Sequence, residues 1–339
     1  MSTCLVGSEM CIRDSNEIDD FALLASDSIH FKSMLLRLFA ACQTNINWCF
    51  VVEENNQFVA GIIYWAFPND RKHIKFTKLG LLTDWDSQNS YAIGSQLLLK
   101  SLAIMYSNGA TMLNGHLVYD VTPALKAHKT LLKRANIDLV QEKWQFEIVQ
   151  PKDYRKNVFS SKKILFKPLN EVNAGHFIDA IKQTCKTTLD RADKQLIKKI
   201  GERQYAQTLF QKLMRIDDDL SHYWLAYEKI SYDLVGVVVP QHFDEQKGSI
   251  NYIGVVPNKR RQGYAAELLQ FAVHTLYNDG IKTIVADIDS KHIPLKKNLL
   301  RVGFKKKTAI WCYKKSLSRL LGNQPKNVSS TKARAIRHF

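Results

Sequence analysis

The sequence predicts a mixed α/β (α+β) protein built from two tandem domains. One observation is the segment 252–277, which has the pattern of an apolar strand, a basic turn with glycine and an amphipathic helix. Another is that the front half of the chain repeats the outline of the rear half at an offset of 171 residues. The chain has 339 residues, which fits two domains of ordinary size.

The segment around residue 260 predicts a strand, a turn and a helix in that order. Residues 253–256 are apolar and largely β-branched, which is typical of a buried strand, and Pro257 ends it because proline has no N–H for the ladder. The basic residues 259–261 then precede Gly263, which can take a positive φ. Apolar residues at helical spacing follow, and Gly280 fits the position just past a helix end.

This turn has the character of a phosphate-binding site. Free N–H groups at a helix start, surrounded by cations, favour a phosphate ester. Residues 284–286 begin a further apolar strand, so strand, helix and strand would form a right-handed unit with parallel strands.

At this turn the sequence resembles the GCN5-related N-acetyltransferase (GNAT) superfamily. The family signature is Gln or Arg, two residues, Gly, one residue, then Gly or Ala, and here it is Arg260-Arg261-Gln262-Gly263-Tyr264-Ala265 after Val255-Val256-Pro257. The resemblance continues to Gly303-Phe304 and covers about residues 167–315. It implies two tandem GNAT-like domains, each a mixed, mostly antiparallel sheet flanked by helices.

The resemblance also implies acetyl-CoA as the co-substrate. Backbone amides of the turn would hold its pyrophosphate, and the pantetheine arm would lie where two parallel strands separate. The implied cofactor-binding residues are Val255, Val256, Lys259, Arg260, Arg261, Gln262, Gly263, Tyr264, Ala265 and His292.

The residues that carry the chemistry are less sharply marked. The family's carbonyl-oxygen donor is a strand N–H, which falls here near Gly254 or Val255. Many members place a tyrosine, as acid for the thiolate, four residues before the glycine of Gly-Phe, and this chain has Leu299 there. The catalytic candidates are therefore Val255, His292, Tyr252 and Asp289.

Two carboxylates are candidates for binding the acceptor amine. Asp287 ends the strand after the helix, and Asp190 lies in a loop between two predicted helices that cover the acceptor site in the family. The alternative is that these two carboxylates, and that of Asp289, cap the helices that follow them.

The front half looks like a degenerate copy that has lost acetyl-CoA binding. At the offset of 171, Asn89, Ala92 and Gly94 replace the arginine, glycine and alanine of the signature. Asp84 and Asp86 precede them, and acidic groups there would repel a pyrophosphate.

The domain boundaries follow from these patterns. Residues 1–15 resemble translated sequencing adapter and are excluded from the fold. Residues 16–155 form the degenerate domain, 156–320 the catalytic domain, and 321–339 a basic tail that we expect to be disordered.

Composition narrows the class of protein. Six cysteines include no Cys-x-x-Cys pair, so neither a zinc site nor a disulfide framework is predicted, and no metal is expected. No apolar run approaches the roughly 20 residues that span a bilayer, so we expect a cytoplasmic protein without a membrane partner. The net charge of +16 would attract nucleic acid non-specifically, but no nucleic-acid motif favours that partner.

The sequence thus predicts an N-acetyltransferase that acts on a small-molecule or peptide amine, with the oligomeric state left open. Two alternatives stand beside it: an acyl- or aminoacyl-transferase of the same fold, and a non-catalytic protein that senses CoA or binds nucleic acid.

Overall fold

The computed structural model describes residues 17–24, 28–54, 57–81, 88–118, 123–216 and 218–321. Asp84, Asp86, the segment 1–15 and all but the first residue of the predicted tail lie outside these residues. The chain divides into two compact units. The front unit holds the residues up to 139 together with those from 312 onward, and the rear unit holds residues 140–311.

Both units contain helices and strands. The helices are α1 (Glu17–Leu23), α2 (Ser28–Ala40), α3 (Gln88–Ser107), α4 (Pro123–Arg134), α5 (Ala174–Thr184), α6 (Arg191–Ile200), α7 (Glu202–Met214), α8 (Tyr264–Asn278), α9 (Ile293–Val302) and α10 (Leu317–Leu321). The strands are β1 (Cys49–Glu54), β2 (Gln57–Trp65), β3 (His73–Leu81), β4 (Met112–Val118), β5 (Asp138–Val149), β6 (Ile164–Pro168), β7 (Trp224–Glu228), β8 (Leu234–His242), β9 (Lys247–Val255), β10 (Thr283–Asp289) and β11 (Lys305–Ser316).

In the front unit, β1, β2 and β3 are antiparallel neighbours and β3 runs parallel to β4. Helices α1 and α2 cover β1 and β2 with an apolar cluster that includes Phe21, Leu35 and Ile63. The same order of elements recurs in the rear unit. Strands β4 and β10 coincide at both ends under the offset of 171 residues, and so do the last residues of α3 and α8.

The sheet of the rear unit has the order β11-β5-β10-β9-β8-β7-β6. Strand β9 is parallel to β10, whereas β5 and β10, β8 and β9, β7 and β8, and β6 and β7 are antiparallel. The predicted fold class, with mixed and mostly antiparallel sheets flanked by helices, is therefore confirmed. The parallel pair joined by α8 is also as predicted.

Apolar side chains cover both faces of the rear sheet. One cluster packs α8 and α9 against one face and is centred on buried residues such as Leu268, Leu269 and Phe304. The other packs α5 and α7 against the opposite face, around Phe177, Tyr223 and Val237. These helices flank the parallel pair β9 and β10 and position the turns that follow the two strands.

The rear unit begins earlier along the chain than the predicted boundary at residue 155. Strand β5 precedes the polar connector 150–157, yet its residues 143–149 pair with all seven residues of β10. A cut at residue 155 would remove a central strand of the rear sheet. The compact units divide at residue 139 for this reason.

None of the helices in the described residues combines the length and apolar character needed to cross a bilayer.

We expect β5 to contribute strongly to the stability of the rear unit. Phe146 on β5 is fully buried, so Phe146→Ala should lower the free energy of unfolding by about 3–5 kcal/mol. Val149 on the same strand is 60% exposed, so Val149→Ala should stay within about 0.5 kcal/mol. Urea denaturation of the two variants tests this, and similar small losses in both would show that β5 packs loosely.

Candidate functional site

Strands β9 and β10 separate near their middle. Their pairing runs from Lys247 with Thr283 to Ser249 with Val285 and extends no further along these two described strands. Just beyond, the register of β9 with β8 shifts by one residue, so Asn251 is the extra residue of a β-bulge. Asn251 is held there by a hydrogen bond from its Nδ2 to Gln241 Oε1 of β8, at 2.7 Å.

The gap between β9 and β10 exposes backbone donors of β9. Val256 N–H donates to Val235 C=O of β8 at 2.9 Å. Hydrogen bonding alternates along an antiparallel pair, so the N–H groups of Ile253 and Val255 point away from β8 and toward β10. The C=O of Val255 points the same way and accepts from Arg260 Nε at 2.9 Å.

Glycines let β8, β9 and α5 approach closely at this gap. A Cβ on Gly236 would lie 2.1 Å from the carbonyl oxygen of Gly254. A Cβ on Gly254 would lie 2.6 Å from Thr184 Cβ. Any larger side chain at either position would push β9 away from its neighbours.

The turn between β9 and α8 presents a run of free amides. Arg261 and Gly263 both have left-handed backbones, with φ of 63° and 90°. The first N–H of α8 with a backbone acceptor belongs to Ala266, which donates to Gly263 C=O at 3.0 Å. The N–H groups of residues 261–265 find no acceptor among the described residues. Consecutive amides at the positive end of a helix dipole form a site for an anion.

Arg260 folds back from this turn onto the segment after α5. Its Nη1 donates to Thr187 Oγ1 at 2.7 Å, and its Nη2 donates to the C=O groups of Thr184 and Lys186 at 3.0 and 2.9 Å. With the bond to Val255, the guanidinium ties residues 184–187 to the end of β9. The structure therefore gives Arg260 a positioning contact.

Lys259 is likewise engaged by the hairpin that joins β7 and β8. Its Nζ lies 2.7 Å from Glu228 Oε2 and 3.0 Å from Asp233 Oδ2. The hydroxyl of Tyr264 donates to the other oxygen of Glu228. The hydrogen bonds from Lys259, Tyr264 and Ser231 lower the pKa of Glu228 to about 2.

The remaining residues of the turn face solvent. Arg261 and Gln262 are exposed, and the guanidinium of Arg261 has no hydrogen-bond partner among the described residues. Gln262 Nε2 donates to Asn258 C=O at 3.2 Å, within the turn itself. Of the predicted basic residues, Arg261 is thus the one placed to meet an incoming anion. Ala265 packs partly against the α8 core.

Tyr252 and His292 hold structural positions. Tyr252 lies on the α5 face of β9, and its hydroxyl hydrogen-bonds Thr184 Oγ1 at 2.8 Å. Burial raises its pKa above the ordinary value, so it stays protonated. His292 caps α9, where its Nδ1 accepts from Leu295 N–H at 3.2 Å. Burial lowers the pKa of His292, which favours the neutral ring that this cap requires.

Asp289 is a buried junction of three elements. Its carboxylate accepts from Gln141 Nε2 of β5 at 2.9 Å, from Arg191 N and Nε at 3.0 and 2.9 Å, and from Lys291 N–H at 2.8 Å. Burial by itself would raise the pKa of Asp289, but the bonds from Arg191 and Gln141 hold it at about 2. A saturated, ionised carboxylate of this kind is a poor base. Asp190 also accepts from Gln141 and caps α6 through the N–H groups of residues 192 and 193.

A second group of polar side chains lies over β10 on the face of α6 and α7. Asp287 is exposed and accepts from Gln145 Nε2 at 3.1 Å, and desolvation by its surroundings raises its pKa. Burial, and then the charge of Asp190, raises the pKa of Asp193 to about 6. Asp193 lies near Tyr205 and Tyr252, because its charge adds to the burial that raises the pKa of each. Carboxylates with raised pKa values beside an open strand gap are candidates for catalysis.

Sequence reasoning missed several of these residues. Gln141 stands 148 positions before Asp289, and nothing near it in the sequence indicates the contact. Asp193 reads as an ordinary first-turn helix residue. The basic cluster was recognised, but no pattern in it tells the engaged side chains of Lys259 and Arg260 from the free one of Arg261.

In the front unit, the residues that correspond to this turn belong to a helix. Residues 88–92 correspond to residues 259–263 at the offset of 171, and they are already helical as the start of α3. No residue from 88 to 94 has a positive φ among those that the structure describes.

Comparisons with known proteins agree with this geometry. The model of the acetyltransferase (GNAT) family matches residues 189–304, which include the gap, the turn and Asp289. No curated protein sequence matches the chain.

Solved structures share the fold at low sequence identity. A GCN5-related N-acetyltransferase from Sphaerobacter thermophilus has a TM-score of 0.60 at 14% identity, over 91% of this chain and 95% of that one. A GCN5-related glucosamine N-acetyltransferase region of a fungal multi-domain β-N-acetylglucosaminidase has a TM-score of 0.55 at 13% identity, over 90% of this chain and 37% of that one. A tandem GNAT protein from the clavulanic acid pathway has a TM-score of 0.49 at 10% identity, over 91% of this chain and 98% of that one.

Adjacent arginines provide a test of the positioning contact. We expect Arg260→Ala to release residues 184–187 and to speed hydrogen exchange at Thr188, whose N–H donates to Cys185 C=O. The increase should be about tenfold or more, because a hydrogen bond to a charged group contributes about 1.5–3 kcal/mol. Arg261→Ala is the matched control and should leave this exchange unchanged. Equal exchange in both variants would show that Arg260 does not hold the segment.

Proposed function

We propose that the rear unit transfers an acetyl group from acetyl-CoA to an amine, because residues 189–304 match the model of the acetyltransferase (GNAT) family. The amine attacks the thioester directly, with no covalent enzyme intermediate. The observation that carries the proposal is the run of unpartnered amides at residues 261–265, at the start of α8 and beside the gap between β9 and β10.

The pyrophosphate of acetyl-CoA binds these amides. Left-handed conformations at Arg261 and Gly263 turn successive N–H groups toward one point, and the dipole of α8 adds a partial positive charge there. The exposed guanidinium of Arg261 supplies a full charge. Lys259 and Arg260 act indirectly, by fixing the turn to the β7–β8 hairpin and to residues 184–187.

The gap between β9 and β10 takes the pantetheine arm and the thioester. The N–H groups of Ile253 and Val255 have no partner across the gap, so an extended amide chain can pair with them as a strand would. The N–H of Val255, at the end of the strand, donates to the thioester oxygen as it becomes negative. A preorganised donor of this kind contributes about 2.7–4 kcal/mol to lowering the barrier.

The amine binds and loses its proton on the face of β10 that α6 and α7 cover. Asp287 binds the cationic amine, and Asp193 accepts the proton as the nucleophile forms. A carboxylate with a pKa near 6 suits this role, because it is ionised at neutral pH yet basic enough to take a proton. Tyr252, His292, Asp190 and Asp289 shape the site through the contacts described above and do not react.

Two glycines at opposite ends of α8 test the cofactor site. Gly263 and Gly280 have φ of 90° and 95°, and a Cβ at either would meet nothing within 4 Å. Alanine at each position should therefore cost a similar strain of about 1–2 kcal/mol. We expect Gly263→Ala to weaken acetyl-CoA binding about tenfold or more, because its amide belongs to the phosphate turn. Gly280→Ala should bind as the unaltered protein does.

Isothermal titration with acetyl-CoA measures both variants. Absence of binding by the unaltered protein, or equal loss in both variants, would overturn the proposal. Titration with longer acyl-CoAs and with charged tRNA separates acetyl transfer from the acyl- and aminoacyl-transfer alternatives. Release of free CoA thiol with a panel of amines then distinguishes an enzyme from a protein that only senses CoA.

The pH profile tests Asp193. The rate should rise with pH through about 6 as Asp193 loses its proton, and Asp193→Asn should remove this step. Asp179, an exposed carboxylate on α5, provides the control Asp179→Asn, which should keep the profile. A step near pH 6 that survives in Asp193→Asn would assign the proton to another group.

Stability gives a second readout for the same residue. The folded pKa of Asp193 is raised, so its ionisation destabilises the fold, and this penalty grows from about pH 4 and is complete above about pH 6. Asp193→Asn should therefore be more stable than the unaltered protein above pH 6 while being less active.

A further inference from the structure

Three side chains that commonly bind metals meet at the end of the rear sheet opposite the turn. His222 ends the short helical turn before β7, His242 is the last residue of β8, and Asp279 follows α8 directly. One ligand atom from each lies within 4.8 Å of the other two. His222 is buried, whereas His242 and Asp279 are partly accessible, so an ion can enter from solvent.

Two of the three distances between ligand atoms suit a tetrahedral ion. Nε2 of His222 and Nε2 of His242 each lie 3.3 Å from the same oxygen of Asp279, Oδ2. Zinc binds His nitrogen and carboxylate oxygen at about 2.0–2.2 Å, which places neighbouring ligand atoms of a tetrahedron about 3.3–3.5 Å apart. An ordinary N–H···O hydrogen bond is shorter, with a usual separation of about 2.9 Å.

The local charges also favour a cation. Asp279 stands at the C-terminal end of α8, where the helix dipole is negative and disfavours a carboxylate. Asp219 precedes the turn that carries His222, and its charge acts on both histidines as well. The rings of His222 and His242 lie 4.5 Å apart beside these carboxylates. Two positive rings at this distance would repel each other, whereas two neutral rings can bind one metal ion.

The three ligands are held by backbone bonds of separate elements. Asp279 N–H donates to Thr275 C=O at 3.0 Å, and His222 N–H donates to Asp219 C=O at 3.1 Å. His242 is fixed by its pairing with Gly248 at the start of β9. Little rearrangement would be needed for the ligand atoms to close on an ion.

We propose that His222, His242 and Asp279 bind a divalent transition-metal ion of the zinc class, with water as the fourth ligand. The ion joins the start of β7, the end of β8 and the end of α8. Helix α8 has 15 residues and thus spans about 22 Å, so the ion lies far from the amides at its other end. It stabilises the rear unit and takes no part in acetyl transfer.

The site departs from the expectation that the protein holds no metal. That expectation rested on cysteine spacing, whereas these ligands come from three elements at positions 222, 242 and 279. Their spacing in the sequence follows no metal motif, and only the fold brings them together.

Zinc titration of chelator-treated full-length protein tests the proposal. We expect His242→Gln and Asp279→Asn to weaken zinc binding by roughly a hundredfold or more, since loss of even an outer partner of a zinc ligand costs 10–100-fold. His176→Ala is the control, because His176 is an exposed histidine on α5 away from the cluster, and it should bind as the unaltered protein does.

Two further measurements separate binding from folding. Circular dichroism establishes that each variant is folded, and zinc should raise the melting temperature of the unaltered protein but not of His242→Gln or Asp279→Asn. Bound Co²⁺ should show the visible absorption of tetrahedral coordination. Absence of zinc binding, binding that both ligand variants retain, or an equal loss in His176→Ala would overturn the proposal.

Discussion

The architecture of the rear unit depends on keeping β9 and β10 apart after only three paired residues. Parallel neighbours close their ladder unless something holds each away from the other, because every unpaired N–H and C=O group costs free energy when it is buried. Here each strand is held on its far side. Strand β9 follows β8 past the bulge at Asn251, and Gly236 and Gly254 allow close contact there. Strand β10 follows β5 over its whole length and ends at Asp289, whose carboxylate is fixed by Gln141 and Arg191. The gap is therefore a property of the strands that flank β9 and β10.

In the turn between β9 and α8, the side chains and the backbone have different roles. A cluster of cations attracts an anion but gives it no defined geometry, whereas backbone amides are directional and fixed. The side chain of Lys259 binds the β7–β8 hairpin, and that of Arg260 binds the end of α5, so both hold the turn in place. Glu228 and Asp233 pair with the charge of Lys259, and carbonyl oxygens accept hydrogen bonds from Arg260. These contacts hold the turn in place and reduce the positive charge around its amides. In the proposed function, the pyrophosphate is recognised by the N–H groups of residues 261–265 and by the charge of Arg261, whose guanidinium has no hydrogen-bond partner among the described residues.

Local features of the site could be predicted from the sequence because their causes are local. Pro257 ends a strand, Gly263 permits a positive φ, and Gly280 terminates α8, and the structure has each of these as expected. The strand–helix–strand pattern predicted the parallel pairing of β9 and β10, and the structure has it. The remainder depends on contacts between distant segments. Gln141 reaches Asp289, β5 enters the rear sheet, and three metal-type ligands converge at Asp279, and each of these follows from the folded topology. The direction of the Arg260 side chain is likewise set by acceptors on residues 184–187, which no pattern in the turn discloses.

The two copies of the repeat differ in where the helix begins: α3 starts at Gln88, which corresponds to Lys259, whereas α8 starts at Tyr264. In the rear copy, α8 is delayed until Tyr264, because Arg261 and Gly263 adopt left-handed conformations that a helix cannot contain. In the front copy, Ala92 occupies the position of Gly263, where a left-handed backbone would cost about 1–2 kcal/mol. Residues 88–92 belong to α3, and none of them has a positive φ. The front copy thus keeps the strands and helices of the repeat, and Ala92 lies inside α3 where the rear copy has the left-handed Gly263.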